Sequence, residues 1–366
     1  MEKTVGFDSP FPGDKDGAIS VYGDIVDILD EAKISLVVST SAFRLFCLGA
    51  EGGRLSATAI PFHNPFGVNV VGNRLAVTSR RSIALFSNAP HMAASYPPAP
   101  DRYDAVFAPR AVFITGNCRA HDIQLCGESV VFANTQFSCL ARCNGTYSFS
   151  PLWQPPFISE LLPEDRCHLN GFAFQQDRPV FATAFAPCDG ARGYRSLPTN
   201  SGILMDVDSG AVAVAGLTLP HSPRLFGNEL FLCNSGYGDI LKIDIANHTA
   251  NTVARLPGFT RGLRAHGDFL FVGLSSIRST RREIPLLDSK VRLVAGIAVV
   301  EKASGAIRGW LELPDSVAEV LDFDLVPGFR RVLIQDIDEE GGGYCAVETP
   351  VNGFWTPIEA PFRGEG

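Results

Sequence analysis

HDIQLCGESVVFAN (121–134) and HSPRLFGNELFLCN (221–234) align without a gap, 100 residues apart. Each is an apolar run opened by a histidine, a glycine turn, and a second apolar run that ends in asparagine. RGLRAHGDFLFVG (261–273) repeats the phrase 40 residues after His221, with arginine at the opening. Weaker copies are NPFGVNVVG (64–72) with NRLAVTS, HLNGFAFQQDRP (168–179) with VFAT, LDFDLVPG (321–328) with RRVLIQ, and DIVDILDEAK (24–33) with ISLVVS, which makes seven.

Between copies a second phrase recurs: FCLGAEGGRLSATAI, LMDVDSGAVAVAGL, LKIDIANHTANTVARL and AVVEKASGAIRGWLEL. Each reads as a strand, a short Gly/Asn/acidic turn and a returning strand. A unit of four short strands recurring every ~40–60 residues is the signature of a propeller blade. The expected fold is therefore an all-β propeller, a single domain over 1–366 with seven four-stranded blades and six as the alternative. The blades are placed at about 24–61, 64–115, 119–150, 168–217, 220–256, 260–313 and 318–358. The 35 Gly and 25 Pro become the punctuation between strands.

Composition narrows the partners. The chain has 366 residues, a net charge of −8, 46% hydrophobic and 19% charged residues, as a soluble globular protein has. An acidic balance with scattered Lys and Arg argues against a nucleic-acid partner. No apolar run approaches the ~18 residues of a membrane span, and the start has no apolar signal region. Nine cysteines, an odd number without a CxxC, read as reduced and mostly buried thiols, so a cytoplasmic location is expected. No nucleotide-cofactor or GxSxG motif is present.

In a propeller the inner strand of each blade lines the axial channel, so the residue opening each copy belongs near one mouth. With Ser79, Asn134, Thr183, Asn234 and Gly273 as register marks, the openings are Phe66, His121, Asn170, His221 and Arg261, with Asp322 following. His168 lies two residues before Asn170 and, on an extended strand, faces the same way. Three of the seven histidines thus gather at one mouth. His121, His168 and His221 are the candidate catalytic groups, since imidazoles titrate near neutral pH and serve as acid, base or metal ligand.

Candidate substrate-binding residues are Asp122, Asn134, Asn170, Arg224, Asn234 and Arg261, the arginines fixing an anionic group. A divalent metal on His121, His168 and His221 is possible, as three-His sites converge from separate elements. The competing reading is that polar ring residues only tie blade to blade. Cys167 and Cys233, each next to a candidate, read as buried core on an alternating strand. Asp165 and Arg166 read as an ion pair on the rim. The insertions 185–202 and 275–293 are long enough to overhang a site, and 147–171 reads as a crossing between blades with Trp153 as a wedge.

The strings WQPPFIS, LLPEDRCHLNGFA, PHSPR, NSGYG and LPGFTRGL resemble a bacterial family of uncharacterised conserved proteins, some fused to tetratricopeptide repeats. The resemblance covers roughly 115–312 and is looser at the first and last blades. It implies a fold that agrees with the repeat, and names no reaction. The residues themselves point to an enzyme or binding protein for a small anionic metabolite, with lyase, isomerase and hydrolase chemistry all compatible. The alternative is a non-catalytic propeller scaffold with a protein partner.

Overall fold

The computed structural model describes residues 3–6, 17–276, 284–336 and 343–358. Its strands form six propeller blades and one separate hairpin. Blade 1 has its inner strand at Val68–Val71, followed outward by Arg74–Thr78, Ser82–Asn88 and Ala105–Ile114. The inner strands of blades 2 to 6 are Ala120–Cys126, Leu169–Gln175, Pro220–Phe226, Phe259–His266 and Val320–Pro327. The six-bladed count is the one observed, and the two weakest repeats explain why.

DIVDILDEAK carries its apolar residues at 25, 26, 28 and 29, a helical spacing rather than an alternation. Ile25–Ala32 is a helix that buries Ile25, Val26, Ile28 and Leu29, and it stops at Lys33, which takes a left-handed conformation. The strand after it, Ile34–Thr40, pairs antiparallel with Val320–Pro327, matching Ser39 to Asp322 and Leu36 to Leu325. The first and last copies are thus two parts of one blade, and their pairing closes the ring. RRVLIQ does not return to that blade. Val332–Ile334 instead runs parallel to Ala105–Phe107 on the outer edge of blade 1. Residues 343–358 are no blade either; they form a hairpin whose Trp355 Nε1 donates to Met92 O at 3.1 Å.

The hydrophobic core is divided into wedges between blades. Val131, Leu140, Leu169 and Ala182 fill the gap between blades 2 and 3, with Trp153 packed against them as a wedge. Phe231, Ile240, Leu263 and Val272 do the same between blades 4 and 5. Apolar contact is non-directional, so it sets the spacing of blades but not their register at the axis. Register comes from a ring of hydrogen bonds.

Thr78 Oγ1 donates to Ala120 O at 2.8 Å, Thr135 Oγ1 to Leu169 O at 2.5 Å, and Asn170 Nδ2 to Pro220 O at 3.0 Å. Ser235 Oγ donates to Thr260 O at 2.5 Å, Ser275 Oγ to Val320 O at 3.0 Å, and Ser39 Oγ to Phe66 O. Each bond passes from one blade to the next, and together they encircle the axis. Among the described residues no helix is long and apolar enough to cross a membrane.

Candidate functional site

The inner strands do not begin as ideal strands. Their pairing slips between Ala120 and Ile123, Leu169 and Gly171, His221 and Arg224, Thr260 and Leu263, and Val320 and Asp322. A bulge of this kind re-aims side chains that strict alternation would send to opposite faces. Just before two of the bulges, Arg119 (φ 50°) and Leu219 (φ 52°) adopt left-handed conformations, uncommon for non-glycine residues. Both sit two residues ahead of a histidine, and both turn their carbonyls onto it.

His121 Nδ1 lies 2.9 Å from Arg119 O and 2.7 Å from Thr135 Oγ1. His221 Nδ1 lies 3.1 Å from Leu219 O and 2.9 Å from Ser235 Oγ. A carbonyl only accepts, and each hydroxyl already spends its proton on the next blade. Both Nδ1 atoms must therefore carry the hydrogen, leaving a bare lone pair on Nε2. His168 is oriented by another route: its Nδ1 donates to Asp165 Oδ1 at 3.0 Å and faces Oδ2 at 3.2 Å. Asp165 is fully buried and also accepts from Tyr194 OH at 3.1 Å. No Nε2 of the three is held by a hydrogen bond among the described residues.

The rings lie close together. His121 and His168 meet edge to face with centroids 5.2 Å apart. Phe185 stacks on His168 at 4.3 Å and meets His221 at 5.2 Å. Phe66 packs 5.4 Å from His121, and Phe259 lies 5.8 Å from His221. Both insertions contribute. Phe185 and Tyr194 belong to 185–202, while Ile284 and Leu286 of the second insertion pack with Leu219 against Phe185 and Phe259. Residues 277–283 of that second insertion, with its paired arginines, lie outside the described residues.

Arg261, on blade 5, supplies the charge. Among the described residues its Nη2 is buried without a hydrogen-bond partner, and no carboxylate forms an ion pair with it. Burial pushes its pKa down, with Glu319, Asp322 and Asp122 pulling the other way. The same cation acts on two histidines. Burial first, then Arg261, hold both His121 and His221 well below the usual imidazole range. They are neutral at pH 7.

One residue further along the inner strands the polar groups are occupied, with one oxygen of Asp322 excepted. Asp122 and Arg224 form a two-point ion pair from blade 2 to blade 4, at 2.7 and 2.8 Å, and Asp122 Oδ2 accepts from Phe172 N at 3.0 Å. Ser222 Oγ accepts from Gly262 N at 2.9 Å. Asp322 Oδ2 accepts from Val68 N at 3.0 Å, and Arg264 Nε donates to Asp324 Oδ1 at 2.8 Å. Asp322 keeps one buried oxygen, Oδ1, without a partner. Burial raises its pKa, opposed by Arg264.

The structure therefore brings His121, His168, His221 and Arg261 together and puts the other candidates to internal use. Asp122 and Arg224 hold each other. Asn170 receives a bond from Thr183 Oγ1 at 2.8 Å and donates to Pro220 O. Asn134 Oδ1 caps a turn, accepting from Phe137 N at 3.2 Å, while its Nδ2 is buried without a partner among the described residues; Asn234 Oδ1 accepts from Thr218 N, 16 residues earlier, at 2.7 Å. His168 and Asn170 do not share a face, because His168 itself has φ 53° and is not in an extended strand. Asp165 and Arg166 are not a rim pair: Arg166 binds Glu164 at 2.8 Å and Asp189 at 2.6 Å. Among the described residues no three His, Cys, Asp or Glu side chains are arranged to hold a metal ion, so the three imidazoles do not converge as a three-His site requires. Cys167 and Cys233 are fully buried, their thiols pushed up to about 12 by burial.

A family model described as "Domain of unknown function (DUF4915)" matches residues 23–334. No curated protein matches the chain. Among solved structures it is similar to a chain of a nidogen/laminin complex, at 12% identity over 80% of this chain and 98% of that one, with a TM-score of 0.52. It is also similar to virginiamycin B lyase from Staphylococcus aureus, at 13% identity over 67% of this chain and 69% of that one, with a TM-score of 0.38. At such identities the first similarity speaks to the fold alone.

Proposed function

The chain belongs to the family described as Domain of unknown function (DUF4915), and from that premise we propose that it binds a small anionic metabolite at the axial mouth and acts on it by imidazole acid/base chemistry. The observation that carries the reading is Arg261, a buried guanidinium nitrogen with no partner beside neutral imidazoles. A buried unpaired donor costs free energy, and a ligand carboxylate is the natural acceptor for it.

In this reading Arg261 fixes the anion. His168 is the general base, because a buried carboxylate on Nδ1 orients the ring and stabilises the imidazolium formed when Nε2 takes a proton. His121 and His221 stay neutral beside the anchored anion and accept hydrogen bonds through Nε2. Thiolate chemistry is disfavoured by the two buried, raised cysteines. Proton transfer next to the anionic group suits a lyase, isomerase or hydrolase.

The test is to incubate the protein with the small-molecule fraction of a cell extract and follow anions by mass spectrometry. Wild type should retain or deplete a small anion, Arg261→Met should do neither, and His168→Asn should retain without converting. Retention that survives Arg261→Met would sink the proposal. A second reading, a non-catalytic interaction scaffold, draws on the hairpin 343–358, which exposes Tyr344, Val347, Val351 and Phe354.

A further inference from the structure

The hydrogen-bonding groups left open at the mouth are of unequal kind, and the inequality narrows the ligand. The open cationic donor is the Arg261 guanidinium, whose Nη2 is buried without a partner among the described residues; Asn134 Nδ2 is a second, neutral N–H group left in the same state. Three acceptors are open: Nε2 of the neutral rings His121 and His221, each bare because its Nδ1 holds the hydrogen, and Asp322 Oδ1. Arg261 and Asp322 sit on adjacent blades and act on each other electrostatically without forming an ion pair.

A simple carboxylate would satisfy the guanidinium and then set its remaining lone pairs against those of the imidazoles. A phosphate dianion would bring more negative charge than one unpaired guanidinium among the described residues offsets. The complement is one carboxylate together with several hydroxyl donors. The walls agree: Phe66, Phe185 and Phe259 alternate with the imidazoles and offer flat apolar faces to the C–H side of a carbon chain.

We propose that the ligand of the mouth is a polyhydroxylated carboxylic acid of the sugar-acid class, its carboxylate on Arg261 and its hydroxyls donating to the imidazole Nε2 atoms and Asp322 Oδ1. This rests on the mouth being a small-anion site. The donated hydrogens discriminate: a site whose polar groups await hydroxyls is left unsatisfied by the analogue that lacks them.

The experiment is calorimetric titration of the full chain at pH 7.5 with three matched series. These are C4 to C6 aldonates (threonate, gluconate, galactonate), the unsubstituted acids butanoate and hexanoate, and the neutral alditols threitol and sorbitol. At least one aldonate should bind on the order of 10-fold tighter, or more, than the unsubstituted acid of its length, since one matched hydrogen bond is worth about that factor. The alditols should not bind, and Arg261→Met should abolish aldonate binding. His221→Phe and, separately, His121→Phe should each shrink the aldonate advantage while leaving the unsubstituted acids unchanged, which a folding defect would not do. If butanoate or hexanoate binds as tightly as every aldonate in an Arg261-dependent way, the sugar-acid assignment is wrong and the anion site stands. If no acid binds, or binding survives Arg261→Met, the anion site fails and the assignment with it.

Discussion

Two consecutive positions on the inner strands of this propeller are both polar, yet they behave in opposite ways. At the opening position His121, His221 and Arg261 keep hydrogen-bonding capacity that nothing among the described residues uses. One residue later Asp122, Ser222 and Asp322 clasp the adjacent blade through backbone N–H groups, and Asp122 is further held by Arg224 across the channel; only Asp322 Oδ1 of this layer is left without a partner among the described residues. Side-chain type does not separate the two layers, for each contains charged groups. Leftover capacity does. A polar ring residue whose atoms are all taken is architecture, and one with an idle lone pair or N–H is a candidate for a ligand.

The largest expected effect comes from breaking the occupied layer. Arg224→Met removes the guanidinium from a buried carboxylate whose side chain is only 5% exposed. Breaking one half of such a pair costs about 3–5 kcal/mol, because the remaining charge is left buried and unpaired. Urea unfolding should show that loss as a lower midpoint with an unchanged slope. The double variant Asp122→Asn with Arg224→Met should recover a large part of it, since no bare charge remains. A single variant within 1 kcal/mol of wild type would mean that the layer is not a clasp.

The next effect is a pH dependence that the two layers contribute with opposite sign. His121 and His221 have imidazole pKa values depressed by burial and Arg261. Below about pH 6.5 the unfolded chain takes up protons there that the folded chain refuses, so stability falls as pH falls. Asp322 is the reverse case, raised by burial against the pull of Arg264 and Arg224 and with Asp122 adding to the rise. Between about pH 4 and its raised value the folded chain holds a proton the unfolded chain has lost, so stability falls as pH rises. Asp322→Asn removes only the second contribution. Its stability relative to wild type should grow between pH 5.0 and 7.5, by about 1 kcal/mol. Parallel stability curves would show that Asp322 titrates normally.

Sequence reading reached the propeller because the repeat unit is a local pattern: two apolar runs about a glycine turn, copied with fixed spacing. It also reached His121, His221 and Arg261, since these stand at equivalent positions of the best copies. It overcounted blades because closure is non-local: Ile34–Thr40 and Val320–Pro327 share one sheet, although almost the whole chain separates them. It placed Asp165 in a rim pair and missed Tyr194 for a similar reason. Their partnership with His168 depends on left-handed turns at Asp165 and His168 and on an insertion folding back, and no periodicity records either. The sequence shows which residues are polar; only the hydrogen-bond network shows which of them are already used.

The smallest effect is also the sharpest test of the two-layer comparison, because it applies the same substitution with the opposite expected sign. Arg261→Met, unlike Arg224→Met, removes a cation that among the described residues forms no ion pair and whose Nη2 is buried without a partner. Taking away an unsatisfied buried group relieves a cost of about 1 kcal/mol or more, while the distant attraction of Glu319, Asp322 and Asp122 is lost. Arg261 as a whole residue is only part-buried, which discounts both contributions, so the variant should be as stable as wild type or up to about 1 kcal/mol more stable. The imidazoles supply an independent readout. Arg261 is the second-largest cause depressing His121 and His221, after burial, so both should titrate at higher pH in the variant. Proton NMR of the ring resonances would show it. Should Arg261→Met destabilise the fold as Arg224→Met does, the opening position would be architecture after all. A stable variant with raised imidazole pKa values and no anion affinity would mark Arg261 as a residue kept at a cost to the fold for what it binds.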